Sequence, residues 1–442
     1  MLGALFAWLS ALGDRSALAV GGAPVKEIRK PVLSARRTPD VLSFVTRTSR
    51  VTNSLAALKA QIPDGSCLDV RWLGADMVSV RSTTAYTPGS AAKIVTASVA
   101  LDVLGPDMTF QTKVMATKNP DGSVADLFLI GGGDPLIVRN EYVATEKYKT
   151  FNQTSLEALA DAVVAAGVTS VSGRLVGVDT YFDAERWVPE WPTEFHFTEA
   201  GPLGALMVND GVVVGQPLKP DDPALAAATE LSALLAARGV TVAGGAAHDV
   251  LAGGAVDVTT VSSARLTSVL EEMLVNSDNN TAEIILKHIG LKGKGTGSTA
   301  AGLEIVSERL KEWGTGTSLV QKDGSGLAAV DKISCSDLQF LLDRFKDSLP
   351  ALLPVAGETG TLREAFTDSP LKGILRGKTG TLSGVKALAG YVPLEGDDPV
   401  RFALLLNKPG IDNKSAYRSL WNSLATALSR ADSAPRPTEL AP

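Results

Sequence analysis

Two strand-rich ends bracket a long middle section of different texture, and this constrains the fold of the 442-residue chain more than any other feature. Near the start, Ser66 to Leu73 (SCLDVRWL) and Met77 to Arg81 read as strands. Near the end, Ile374 to Gly377, Lys386 to Val392 and Arg401 to Leu406 do the same, the last two joined by the turn Glu395-Gly396-Asp397-Asp398-Pro399. Late strands in hairpin order imply an antiparallel sheet with helices on its faces. Between the two ends lie strand-like Thr109–Ala116, Asp126–Ile130, Ser172–Phe182 and Val208–Val214. The helical patterns Leu156–Ala166 and Pro223–Arg238 and the turn cluster Gly131–Pro135 lie there too. At Thr259 the pattern changes again, to the helix Leu266–Val275, the break VNSDNN and the helix Thr281–Ile289; a final amphipathic helix covers Ser415–Ala431. The expected architecture is α/β (α+β). One domain, with a central antiparallel sheet flanked by helices, is made from residues 51–108 and 259–432. It is interrupted by an inserted, mainly β domain over 109–258, and the tail 433–442 should be loose.

Composition excludes several function classes. With 48 acidic against 42 basic residues the net charge is −6, which argues against nucleic-acid binding. Three histidines, His196, His248 and His288, make a multi-histidine metal site hard to build, and two cysteines cannot form a Cys-rich zinc site. Cys67 and Cys335 pair in an oxidising compartment or remain two buried thiols in a reducing one; residue content leaves both open. Leu2 to Gly13 (LGALFAWLSALG) is apolar but shorter than the ~20 residues a span requires. Residues 1–25 are therefore expected to be a signal or anchor segment, with Ala17-Leu18-Ala19 resembling a cleavage site. Residues 26–50 are basic and read as a linker that can lie over an anionic membrane surface.

The chemistry centres on TPGSAAKIVTASVALDVLG, Thr87 to Gly105. An apolar helix fills its second half, and its first turn carries Ser90 and Lys93, side by side at i and i+3. A hydrolase with a Ser-His-Asp triad of the α/β-hydrolase type would show G-x-S-x-G, which this chain lacks. A lysine serves as base to a serine when burial and neighbouring positive charge lower its pKa. A lone S-x-x-K means little, and Ser369-Pro370-Leu371-Lys372 is a second one without a long helix to bury its lysine. Two further patterns accompany the first: Ser277-Asp278-Asn279 in the break between two helices, and Lys378-Thr379-Gly380 where a strand reaches a bend, each occurring once.

In that order, the three patterns are a known signature of penicillin-binding proteins and class A β-lactamases. The chain resembles the low-molecular-mass class C (type-4) penicillin-binding proteins, the D-alanyl-D-alanine carboxypeptidase/endopeptidase (peptidase S13-like) family. The resemblance runs from about Val51 to Ala431. It includes LIGGGDPLI (Leu129–Ile137), GRLVGVDTYFD (Gly173–Asp183), KDGSGLA (Lys322–Ala328) and LPVAGETGTL (Leu353–Leu362). It departs where Gly89 and two alanines flank Ser90.

This resemblance implies a penicillin-binding-protein/β-lactamase-like transpeptidase domain and no cofactor or metal. It implies an acyl-enzyme on Ser90, Lys93 as base, Ser277 as proton relay, Asn279 holding Lys93 and the substrate peptide, and Lys378 as a cation beside them. Thr379 and Thr381 would bind the substrate's terminal carboxylate, Gly380 would let the strand approach it, and the backbone N–H groups of Ser90 and Thr381 would form the oxyanion hole. The implied partners are peptidoglycan stem peptides, with β-lactams as inhibitors, in an extracytoplasmic setting that favours the Cys67–Cys335 disulfide. A serine β-lactamase and a non-catalytic peptidoglycan-binding protein are the competing readings. GGGDP and DGSGLA are read as structural turns, ETGTL (Glu358–Leu362) is given no catalytic role because Glu358 replaces the lysine of KTGTL, and the histidines are read as uninvolved.

Overall fold

The computed structural model describes residues 39–432 and 436–440. Two units are present, and the larger runs from Phe44 to residue 432 among the described residues. In the small unit the described residues are the start of the opening helix and a short helix, Pro437–Leu440, within the tail expected to be loose. The expected signal or anchor segment lies outside the described residues. The expected linker is overturned where it is described: residues 39–50 are the first half of helix α1 (Pro39–Lys59), whose Val51, Leu55 and Leu58 enter the core.

In the larger unit, strands β1 (Cys67–Trp72) and β2 (Ala75–Val80) form a hairpin, and helix α2 (Lys93–Val103) follows the Ser90 turn. The chain then enters a second sheet through β3 (Gln111–Lys118) and β4 (Val124–Ile130). Helix α3 (Leu156–Ala165), strand β5 (Leu175–Val178) and helix α4 (Pro223–Ala236) come next, and β6 (Val256–Ser262) leads back. Helices α5 (Leu266–Asn276), α6 (Asn279–Lys294), α7 (Thr299–Glu312) and α8 (Cys335–Arg344) precede the late strands β7 (Arg376–Leu382), β8 (Val385–Val392) and β9 (Val400–Asn407). Helix α9 (Lys414–Leu428) closes the fold.

The five-stranded antiparallel sheet has the order β7-β8-β9-β1-β2, so both ends of the chain meet where β1 pairs with β9. Period-two alternation divides its side chains. Leu68, Val70, Leu388, Leu404 and Leu406 join α1 and α9 in one core, while Ala387, Ala389, Ala403 and Leu405 join α2, α5, α6 and α8 in another. Alanines on the second face let the Ser90 turn come close to the sheet. Cys67 at the start of β1 is disulfide-bonded to Cys335, the first residue of α8, with Cα atoms 6.1 Å apart.

A separate sheet is built within residues 111–262, where β6 pairs antiparallel with β3, β3 with β4, and β4 parallel with β5. Helices α3 and α4 pack on it around Leu156, Leu159, Leu231 and Leu235. The chain leaves and returns side by side, with Gln111 opposite Ser262 and Ser263 N–H bonded to Phe110 C=O. The exit strand runs past Val258 to Ser262, so the second sheet extends beyond the expected boundary. Val208–Val214 is not a strand. Asn209 to Gly211 form a 3₁₀ turn with positive φ, held by Asn280 and Lys219 on Asp210 and by the Arg139 N–H on Asn209 Oδ1.

Candidate active site

Gly89 to Ala92 form a 3₁₀ turn that runs directly into α2. Three backbones crowd this turn. A Cβ on Gly380 would lie 2.1 Å from Pro88 O, one on Gly326 2.1 Å from Gly89 O, and one on Gly89 2.9 Å from Thr381 N. Strand β7 and the Asp323–Ala328 loop therefore close on the Ser90 turn with no room for side chains. That accounts for the departure at Gly89, Ala91 and Ala92: these positions are buried between two walls, and only Ser90 has an open direction.

Lys93 points back along the helix and is wholly buried. Its Nζ lies 3.2 Å from Ser90 Oγ, 2.7 Å from Asn279 Oδ1 and 2.8 Å from the Ser325 carbonyl. The amide of Asn279 is oriented by its Nδ2, which donates to Glu199 O at 2.9 Å, so its oxygen faces the lysine. Two of the three partners of Nζ are carbonyl oxygens, which only accept. A neutral amine has two hydrogens and one lone pair, so both hydrogens are taken and the lone pair is left for the Ser90 hydroxyl. Burial pulls Lys93 down to about 8, opposed by the negative charges of Asp323, Glu283, Asp278 and Glu199.

Ser277 ends α5 in the left-handed conformation, φ 67°, and Asp278 caps α6 by accepting the Thr281 N–H at 3.0 Å. The stop and restart are one residue apart, which pushes Ser277 out of the helical path and sets Asn279 in the first turn of α6. Lys378 Nζ donates to Ser277 Oγ at 2.8 Å and to Thr379 O at 3.0 Å. Lys378 is wholly buried, and burial, with the charges of Lys93 and Lys386, holds it well below the usual lysine range. Among the described residues, no carboxylate acts on it as four do on Lys93. The cation expected at Lys378 is therefore disfavoured by its surroundings: burial and the Lys93 charge both lower it, while the carboxylates that offset burial at Lys93 do not act on it.

The structure thus brings together Ser90, Lys93, Ser277, Asn279 and Lys378, with Thr379, Gly380 and Thr381 on the edge strand β7 beside them. Sequence reasoning missed several groups. The Asp323–Ala328 loop is wound on two buried carboxylates. Asp323 accepts from Gly326 N, Ala328 N and Trp191 Nε1, and Glu283 accepts from Gly324 N and Ser325 N. This sets the Ser325 carbonyl against Lys93. Glu283 lies one helical turn from Asn279, an N-x-x-x-E spacing that was readable in α6. Thr361 of ETGTL, given no catalytic role from the sequence, lies 3.0 Å from Thr379, hydroxyl to hydroxyl.

The remaining candidates stay apart. Ser369 and Lys372 sit in a turn, with the lysine exposed. His288 stacks on Phe110 and bonds Gly133 O, His248 bridges Asp179 and Asp222, and His196 stacks on Trp187. In GGGDP, Asp134 accepts from Leu136 N and Thr154 Oγ1, a turn held by its own side chain.

A family model described as D-Ala-D-Ala carboxypeptidase 3 (S13) matches residues 72–219 and 214–428, which include every residue of the three patterns. The chain is 30% identical over 397 residues to a D-alanyl-D-alanine carboxypeptidase of Actinomadura sp. (strain R39), covering 69% of this chain and 70% of that one. It is 28% identical over 406 residues to the carboxypeptidase DacB of Mycolicibacterium smegmatis, covering 86% and 85%. The solved structure of penicillin binding protein 4 (dacB) from Haemophilus influenzae shares the fold, with a TM-score of 0.69 at 18% identity over 85% of this chain and 98% of that one. The chain belongs to the D-Ala-D-Ala carboxypeptidase 3 (S13) family and is a serine-type carboxypeptidase.

Proposed function

We propose that Ser90 is the acylated nucleophile of a D-alanyl-D-alanine carboxypeptidase that acts on peptidoglycan stem peptides. The observation that carries the assignment is the triple contact of Lys93 Nζ, which leaves a lone pair only for Ser90. Ser90 Oγ bonds to the carbonyl carbon of the penultimate residue while its proton passes to Lys93. The backbone N–H groups of Ser90 and Thr381 receive the oxyanion. Collapse breaks the C–N bond, and the proton held by Lys93 passes to the leaving amine through Ser277, whose hydroxyl hydrogen is free because its oxygen accepts from Lys378, so Lys93 is neutral again. Water then attacks the ester as Lys93 takes its proton, the acyl C–O bond to Ser90 breaks, and Lys93 returns that proton to Ser90 Oγ. Asn279 holds Lys93, and Thr379 and Thr381 receive the terminal carboxylate. Gly380 keeps the strand close. The same steps cleave a cross-link, where only the leaving amine differs, so endopeptidase action belongs to this proposal.

Residues 109–258 are proposed as an inserted domain, supported by a sheet of their own and by the adjacent entry and exit of the chain. Extracytoplasmic residence is supported by the family and by the Cys67–Cys335 disulfide. Surface attachment through the N-terminal segment rests on its apolar-then-basic sequence and is tested by fractionation with and without residues 1–38.

Intact-protein mass after brief exposure to benzylpenicillin tests the site. One adduct of whole drug mass, absent in Ser90→Ala, is expected, and its persistence separates a peptidase from a β-lactamase that sheds it within turnovers. No adduct on the folded wild type overturns the catalytic assignment in favour of a wall-binding role.

A further inference from the structure

Lys386 lies on β8 directly opposite Thr381 of β7, so the two side chains share one face of the sheet. Its Nζ donates to Thr381 Oγ1 at 2.7 Å, at an exposed contact. The ammonium also sits 4.4 Å from the ring centroid of Tyr417 and 5.2 Å from that of Trp421, both on α9 and packed edge-to-face on each other. Two aromatic faces therefore hold the charge in place. Its charged neighbours are Arg418 and Asp412 in the α9 region and Lys378 in β7. The Asp412 carboxylate accepts from Gly384 N at 2.9 Å in the hairpin turn. Among the described residues, no carboxylate lies within ion-pair distance of Lys386.

We infer that Lys386 is part of the anchor for the substrate's C-terminal carboxylate. The hydrogen-bond direction carries the argument. An ammonium has no acceptor, so Thr381 Oγ1 must spend a lone pair on it, and the Thr381 hydroxyl hydrogen is left to donate elsewhere. A carboxylate seated at the Thr379 and Thr381 hydroxyls meets a donor polarised by a cation behind it. The buried Lys378 cannot do this alone, because its Nζ is committed to Ser277 and the Thr379 carbonyl. Burial and the charge of Arg418 lower Lys386 to about 8, with Asp412 acting the other way, so the anchor is charged below that pH and loses charge above it. Lys386 acts on binding and orientation and takes no proton from the reacting atoms. The inference rests on the assignment of Thr379 and Thr381 as the carboxylate site.

The test compares diacetyl-L-lysyl-D-alanyl-D-alanine with its C-terminal carboxamide, using wild type, Lys386→Met and Lys386→Arg between pH 6 and 9.5. Lys386→Met is expected to raise KM for the free acid about tenfold or more, with kcat within about twofold and KM for the amide unchanged. Lys386→Arg is expected to keep the low KM and to hold it above pH 8, where the wild-type KM climbs. Equal losses on acid and amide, or a loss confined to kcat, overturn the anchor. One benzylpenicillin adduct per chain in both variants establishes that they fold. An adduct that maps away from Ser90 overturns the nucleophile assignment instead, whatever the acid-to-amide comparison shows.

Discussion

Lys93 and Lys378 are both wholly buried at the same cleft, but they keep different company. Lys93 touches Ser90, Asn279 and Ser325 and has four carboxylates near enough to act on it. Lys378 touches Ser277 and its own strand, and the charges that act on it are lysines. Burial alone would make either a neutral amine. What separates them is which hydroxyl each reaches: one activates the serine at the helix start, the other donates to the serine between the helices. The surrounding carboxylates keep Lys93 near 8 rather than lower, where it still has affinity for the proton it must take.

The largest expected effect breaks the comparison at its stronger member. Lys93→Met should lower the rate of β-lactam acylation about 10³-fold or more with one-to-one folding preserved, read by stopped-flow. Lys378→Met should cost less, about 10²-fold, because Ser277 keeps its place at the end of α5. If the two variants lose equally, the division of roles is wrong. The pH profile sharpens it further. Only neutral Lys93 accepts a proton, and its pKa is lowered to about 8, so acylation at saturating drug should rise with pH and be half-maximal near 8. A profile flat from pH 6 to 9 would contradict this.

Glu283→Gln tests the company that Lys93 keeps. An amide that keeps Oε1 for both N–H groups presents its own N–H to Gly324 N, where Oε2 accepted, so the loop should shift and move the Ser325 carbonyl off Lys93. A rate loss of about tenfold and destabilisation of about 1–3 kcal/mol in urea titration are expected. The smallest effect belongs to the unrelated S-x-x-K. Lys372→Ala, at an exposed turn, should leave acylation within about twofold in the same assay.

Much of the site was legible in order along the chain. Ser90, Lys93, Ser277, Asn279 and Lys378 stand in short patterns because local geometry makes them neighbours in pairs: one helical turn for Ser90 and Lys93, one helix break for Ser277 and Asn279. Strand alternation likewise exposed the late hairpin and the early strands. Less was legible where partners lie far apart. Helices α7 and α8 were passed over, and 208–214, with its four valines, was read as a strand. The polar partners that bend it come from residues 139, 219 and 280.

The sequence by itself determined the chemistry types on offer: a serine with a lysine one turn away, a second serine, an amide and a lysine on a strand. Only the tertiary structure decided their protonation and reach. A pKa depends on burial and on charges brought from distant segments, as Asp323, Glu283 and Glu199 are brought to Lys93. The direction of a hydrogen bond depends on the third partner, as Glu199 turns Asn279 and Lys386 turns Thr381. These are properties of through-space arrangement, and no local pattern in the chain encodes them.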